Sequence, residues 1–157
     1  MHDHDHDHDQ GLRSRVEALE ARNAIEELKT QYARRSDAVF NNPGNASAVA
    51  LADLFTDDGV LNLGPFGSFS GRSELINAFE NILPQGTRWS THYIVNPLIT
   101  ITGQTATASW YYLIQSLPAG EDATLTQFFG GYDDQYVKVG GAWKIKQTDT
   151  SFFVPPA

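Results

Sequence analysis

The stretch WSTHYIVNPLITITGQTATASWYYLIQSL, residues 89–117, joins two long runs of β-branched and aromatic residues through the turn signal TGQT. Two more such runs follow, TLTQFFGGYDDQYVKVG and AWKIKQTDTSFFV, set off by PAGED and VGGAW. Long strands joined by short turns predict an antiparallel sheet. The pair Gly130-Gly131 inside the third run predicts a bulge or bend that curves it.

Upstream the pattern is helical. From Leu12 to Phe40 there is no Gly or Pro, and Val16, Leu19, Ile25, Leu28, Tyr32, Val39 and Phe40 recur at helix-like intervals. NNPGN at 41–45 stops this long amphipathic helix. ASAVALADLF predicts a second, short helix, and TDDGV a turn that opens the strand VLNLG. GPFGSFSG, residues 64–71, predicts a flexible loop with apolar anchors at a pocket rim or on the surface. GRSELINAFENIL predicts a third helix, capped by Ser73 and ended by Pro84. Helices first and strands last predict an α+β fold, a curved sheet with the long helix across its concave face.

A chain of 157 residues suits one domain. Residues 1–10, MHDHDHDHDQ, contain no apolar residue after Met1 and predict a disordered His/Asp tail ahead of a domain at 11–157. The body then carries 15 acidic against 11 basic residues, a balance that speaks against a nucleic-acid partner. Without cysteine there is no disulfide, thiolate nucleophile or Cys-zinc site. No apolar run approaches the ~20 residues of a membrane span, and the N-terminus lacks a secretory pattern; a cytoplasmic location is expected. One body histidine and no cysteine leave too few ligands for zinc, so neither a metal nor a cofactor is expected. GPFGSFSG lacks the spacing of a phosphate-cradling loop.

His92 is the only histidine outside the tail. Alternation along a strand puts His92, Ile94 and Asn96 on one face and Tyr93 and Val95 on the other, and both faces are expected to be covered. A buried imidazole needs a hydrogen-bond partner. The long helix offers Tyr32 on its apolar stripe and Asp37 near its C-terminal end. Five residues of helix rotate by roughly 140°, so these two flank a broad face.

NAIEELKTQYARRSD, LADLFTDDGVLNLG, GRSELINAFEN, THYIVNPLITITGQTATA and GGAWKIKQTDT together resemble the SnoaL-like branch of the nuclear-transport-factor-2-like superfamily, over residues 12–153. That resemblance implies a cone-shaped α+β barrel: a curved antiparallel sheet with three helices closing a hydrophobic pocket. Within the branch the likeness is to the scytalone dehydratase, bile-acid dehydratase and hexachlorocyclohexane dehydrochlorinase group. It implies a catalytic Asp at Asp37, a His at His92 and a tyrosine at Tyr32. The dehydratases carry a further polar residue on the next strand, where only Gln115 could stand in; the dehydrochlorinase uses an arginine near the last strand, and KQTDT has none.

The expected function is a cofactor-independent lyase or isomerase acting on a small, largely apolar cyclic substrate. Asp37 fixes the tautomer of His92, which abstracts a proton from carbon, and Tyr32 donates to a carbonyl or departing hydroxyl. Phe66, Phe69, Trp89, Asn96, Trp110, Tyr112, Gln115, Phe128 and Tyr132 are the expected substrate contacts. The alternatives are a non-catalytic small-molecule binding protein and an accessory subunit on the same fold. The ending SFFVPPA predicts a pocket cap or a subunit contact, and with it a homo-oligomer, dimer or trimer.

Overall fold

The computed structural model describes residues 3–154. The long helix α1 spans Asp3–Asn41. It begins upstream of the expected start, so residues 3–10 are helical and not the disordered tail their composition predicts. A helix already nucleated gains one hydrogen bond for each residue it adds, and residues 6–10 extend it with exposed side chains. The apolar stripe is buried only from Ile25 onward; Leu12, Val16 and Leu19, ahead of it, are exposed.

Helix α2 (Asn45–Ala52) leads into β1 (Phe55–Asn62). The expected turn TDDGV lies inside this strand as an irregularity: the register on the neighbouring strand jumps between Phe55 and Val60. A 3₁₀ turn (Gly64–Phe66) and the short β2 (Ser68–Ser70) occupy the expected loop. The third helix is broken into α3 (Arg72–Asn77), a π-helical turn (Ala78–Ile82) and α4 (Leu83–Gly86). Gly71, not Ser73, caps α3, without a side-chain hydrogen bond. Pro84 sits in the first turn of α4, where no amide donor is needed, and so does not end the segment.

The strands β3 (Thr87–Thr102), β4 (Thr105–Pro118), β5 (Thr126–Val139) and β6 (Ala142–Phe152) form an antiparallel meander. The sheet order is β2-β1-β6-β5-β4-β3. Strand β1 joins β6 in parallel, so the curved sheet is mixed and unclosed rather than purely antiparallel. A parallel pair needs a long crossover, and the partners here are the first and last strands in chain order.

The bulges are not at the glycine pair. Gly130 and Gly131 pair regularly with both neighbours. Register shifts fall between Gln135 and Tyr136 and between Val95 and Leu98, where Asn96 takes φ 56°. Asparagine tolerates that left-handed conformation better than most residues. Helix α1 lies over β3 and β6, and its Ile25, Leu28, Tyr32 and Val39 join Trp110, Tyr132 and Ile145 in one core. The result is an α+β cone.

Candidate active site

On β3, Ser90, His92 and Ile94 turn inward, while Trp89, Tyr93 and Val95 turn out. The outer face is not covered as expected, since Tyr93 is 50% exposed. Asp37, Phe40 and Asn41 follow at i, i+3 and i+4 and share one helix face. The Asn41 side-chain amide donates to the Ser90 carbonyl at 2.9 Å, and the Ser90 N–H donates to Asn41 Oδ1 at 2.9 Å. Phe40 stacks on the His92 ring with centroids 6.4 Å apart. These contacts tie the end of α1 to the strand edge.

With the two elements tied, Asp37 Oδ1 stands 2.7 Å from His92 Nδ1. An ionised carboxylate only accepts, so Nδ1 carries the proton. That tautomer leaves Nε2 with its lone pair, and Nε2 has no hydrogen-bond partner among the described residues. A carboxylate one turn from a helix C-terminus is locally unfavourable; the donor on His92 compensates.

His92 borders a cavity of about 410 Å³, within the range of roughly 300–1,000 Å³ for small-molecule sites. Tyr32, Phe66, Phe128 and Tyr132 line it, whereas Asp37 lies behind His92. Phe66 and Ile82 line it and are also exposed, which puts the mouth beside them.

The six other expected contacts lie elsewhere. Phe69 is buried in the core outside the wall, and Trp89 points outward and is exposed. Asn96 sits exposed at the β3 bulge. Gln115 falls on the outward face of β4, in register with Thr91 and Gln127. Trp110 is buried and donates to the Tyr136 hydroxyl at 3.1 Å. Tyr112 supports the wall from behind: its ring packs on Tyr132 at 4.6 Å and its hydroxyl donates to the Ser151 carbonyl at 2.8 Å. Burial pushes its phenol up to about 12.

The wall also includes Ser36, Ser90, Ser116, Thr150 and Phe152, which the sequence reading missed. Periodicity could have found Ser36, one turn beyond Tyr32, and Ser90, two residues before His92 on the same strand face.

Beneath Tyr32 lies a buried charge. Lys29, 1% exposed, places Nζ 2.8 Å from Asp134 Oδ2 and about 4 Å from the ring centroids of both Tyr32 and Tyr132 (4.1 and 4.0 Å). The Tyr136 hydroxyl donates to the same carboxylate oxygen. Burial pulls the Lys29 ammonium below its ordinary range, against the opposing pull of Asp134. Burial also holds the phenols of Tyr32, Tyr132 and Tyr136 well above theirs. Among the described residues, no three His, Cys, Asp or Glu side chains converge as a metal site. No described helix is long and apolar enough to cross a membrane.

The fold is similar to a candidate scytalone dehydratase from Novosphingobium aromaticivorans (24% identity, TM-score 0.75, 87% of each chain). It is also similar to the hexachlorocyclohexane dehydrochlorinase LinA-type3 from Novosphingobium barchaimii LL02 (18% identity, TM-score 0.74, 90% of this chain and 99% of that one). A third likeness is to a nuclear transport factor 2-like superfamily protein from Salmonella enterica serovar Typhimurium (16% identity, TM-score 0.75, 89% and 96%). No curated protein matches the sequence. The model of the SnoaL-like domain matches residues 17–149, nearly all of the helix-and-sheet cone, and the chain belongs to that family.

Proposed function

We propose that this protein is a cofactor-independent lyase or isomerase of the dehydratase type, acting on a small, largely apolar cyclic molecule. The observation that carries the reading is the 2.7 Å contact between Asp37 Oδ1 and His92 Nδ1 beside the cavity. Nε2 takes a proton from substrate carbon. Asp37 holds the ring and stabilises the imidazolium that forms. Tyr32 donates to the substrate oxygen, either as that oxygen gains charge or as it departs as water. The proton on His92 then returns to a different carbon, giving a shifted double bond, or, after elimination, passes to solvent while Tyr32 regains from solvent the proton it gave to the departing water. Base catalysis of this kind is worth about 10²–10⁴-fold.

The relatives' printed names include a dehydratase and a dehydrochlorinase, which supports elimination chemistry. The outer sheet face supports a homo-oligomer, dimer or trimer: Tyr93, Val95, Leu98, Tyr111, Phe129 and Phe153 are all exposed there.

One observation favours a second reading, a small-molecule binding protein. Gln115, the one stand-in on β4 for the dehydratases' further polar group, faces outward, and the residue opposite His92 is the apolar Ile114. The test is a panel of cyclic hydroxy-ketones and halides followed by mass spectrometry. The lyase reading expects turnover by the unsubstituted protein and at least ~10²-fold loss in a folded His92→Ala variant. Ligand binding with no product from any panel member, and affinity changed by His92→Gln, would leave the binding reading.

A further inference from the structure

The Lys29–Asp134 pair has no part in the proton transfer above, yet it lies directly under the cavity. Both side chains are almost fully enclosed. A buried ion pair is a poor source of stability, because desolvation of its charges offsets most of their attraction. Its position is therefore more informative than its existence. Lys29 precedes Tyr32 by three residues on one helix face. Tyr132, Asp134 and Tyr136 alternate along the inward face of β5. The ammonium is gripped between these elements, one carboxylate oxygen on it and two ring faces about 4 Å away.

Those two rings belong to the tyrosines that line the cavity. Ser36, one turn beyond Tyr32 on the same helix, lines it with them. Three hydroxyl-bearing residues of that wall are thus deeply buried, whereas Phe66 and Ile82 at the mouth are exposed. Burial keeps the two phenols protonated, so they are donors at neutral pH. A cation on a ring face is held by the ring's quadrupole and favours negative charge nearby.

We propose that Lys29 is a positioning residue for an oxygen-binding corner. Through both ring faces it holds the Tyr32 and Tyr132 hydroxyls as paired donors. The ligand suited to them carries a ring-borne carbonyl or phenolic oxygen that gains negative charge. This rests on the cavity being the small-molecule site proposed above.

The test uses 4-nitrophenol, whose ionised form absorbs visible light, so that one titration at fixed pH gives affinity and ionised fraction. The variant is Lys29→Met/Asp134→Asn, which neutralises both partners at once. Circular dichroism checks its fold. The expected result is that the unsubstituted protein binds the probe with an enhanced ionised fraction. The double variant and Tyr32→Phe each lose about tenfold in affinity together with that enhancement. A purely structural lysine would leave the ionised fraction unchanged. Should the double variant not fold, the side-chain ¹⁵N signal of Lys29, one of four lysines, is followed in the unsubstituted protein and should move as the probe saturates.

No probe binding by the unsubstituted protein, a folded double variant indistinguishable from it, or an unmoved Lys29 signal overturns the proposal. His92→Gln should still bind the probe. Probe binding of the expected kind without turnover of any cyclic ketone therefore removes the lyase reading alone.

Discussion

Two adjacent glycines on β5 should respond very differently to the same added methyl group. At Gly130 a Cβ would lie 1.9 Å from the Ser151 carbonyl oxygen and 2.7 Å from the Tyr112 hydroxyl. Ordinary contact begins near 3.4 Å, so β6 would have to retreat by about 1.5 Å. It is held in place by the Gly130–Phe152 register and by the Phe153 N–H donating to the Phe129 carbonyl at 2.9 Å. Retreat would also break the Tyr112–Ser151 hydrogen bond. Overpacking costs about 1–3 kcal/mol and the lost bond about 0.5–1.5 kcal/mol. Gly130→Ala should therefore destabilise by about 2–4 kcal/mol, which lowers Tm by about 5–15 °C in a chain of this length. At Gly131 the nearest atom is the Trp110 carbonyl oxygen at 3.1 Å, so a shift of a few tenths of an ångström suffices. The entropy removed from the unfolded chain offsets much of that strain, and Gly131→Ala should stay within about 1 kcal/mol of the parent. Urea denaturation and thermal melts of the two variants give the comparison. Equal losses at the two positions would refute the close approach of β5 and β6.

Asn41→Ala should cost about 2–4 kcal/mol by urea denaturation, because it strands both polar groups of the buried Ser90 backbone on the open edge of β3; a variant within about 0.5 kcal/mol of the parent would show that Asn41 does not clamp the helix to the strand. At alkaline pH the tyrosines should dominate. Tyr32, Tyr132 and Tyr136 keep protons in the fold that the unfolded chain releases above pH 10.0, so their contribution is complete below that pH and lost as pH rises through the folded values. Lys29 acts in the opposite sense, since the fold sheds its proton before the unfolded chain does at 10.5. With three phenols against one amine, the urea midpoint should fall steeply above about pH 10, and Tyr32→Phe/Tyr132→Phe should flatten that fall; a parent midpoint level from about pH 9 to 11 would contradict the enclosure of these groups.

What the sequence could and could not show follows from the range over which each signal acts. Strand alternation is a local property, so the inward placement of His92 was readable from six or seven residues, as were the four meander strands. The helix stripe was equally local, and it put Tyr32 on the wall. The parallel pairing of β1 with β6 left no local mark, because it depends on where a long crossover returns. Trp89 and Gln115 were misassigned for a related reason. Each sits one residue out of phase with an inward neighbour, Ser90 and Ser116, and a slip of one residue inverts the face. Asp37 was named through family resemblance, against a local electrostatic preference. Only the Asn41–Ser90 clamp, formed between elements 49 residues apart, explains why it turns toward His92. Lys29 had a visible signal that went unread: it lies on the same stripe as Ile25, Leu28, Tyr32 and Val39, where a charge is costly unless paired. The matching acid was two residues from Tyr132 on the inward phase of β5. A buried cation and a buried anion, each sited by its own periodicity beside a tyrosine, are a pattern that two independent alternations can predict together. Neither alternation could have justified the pair alone, since each, taken singly, puts an unpaired charge in the core.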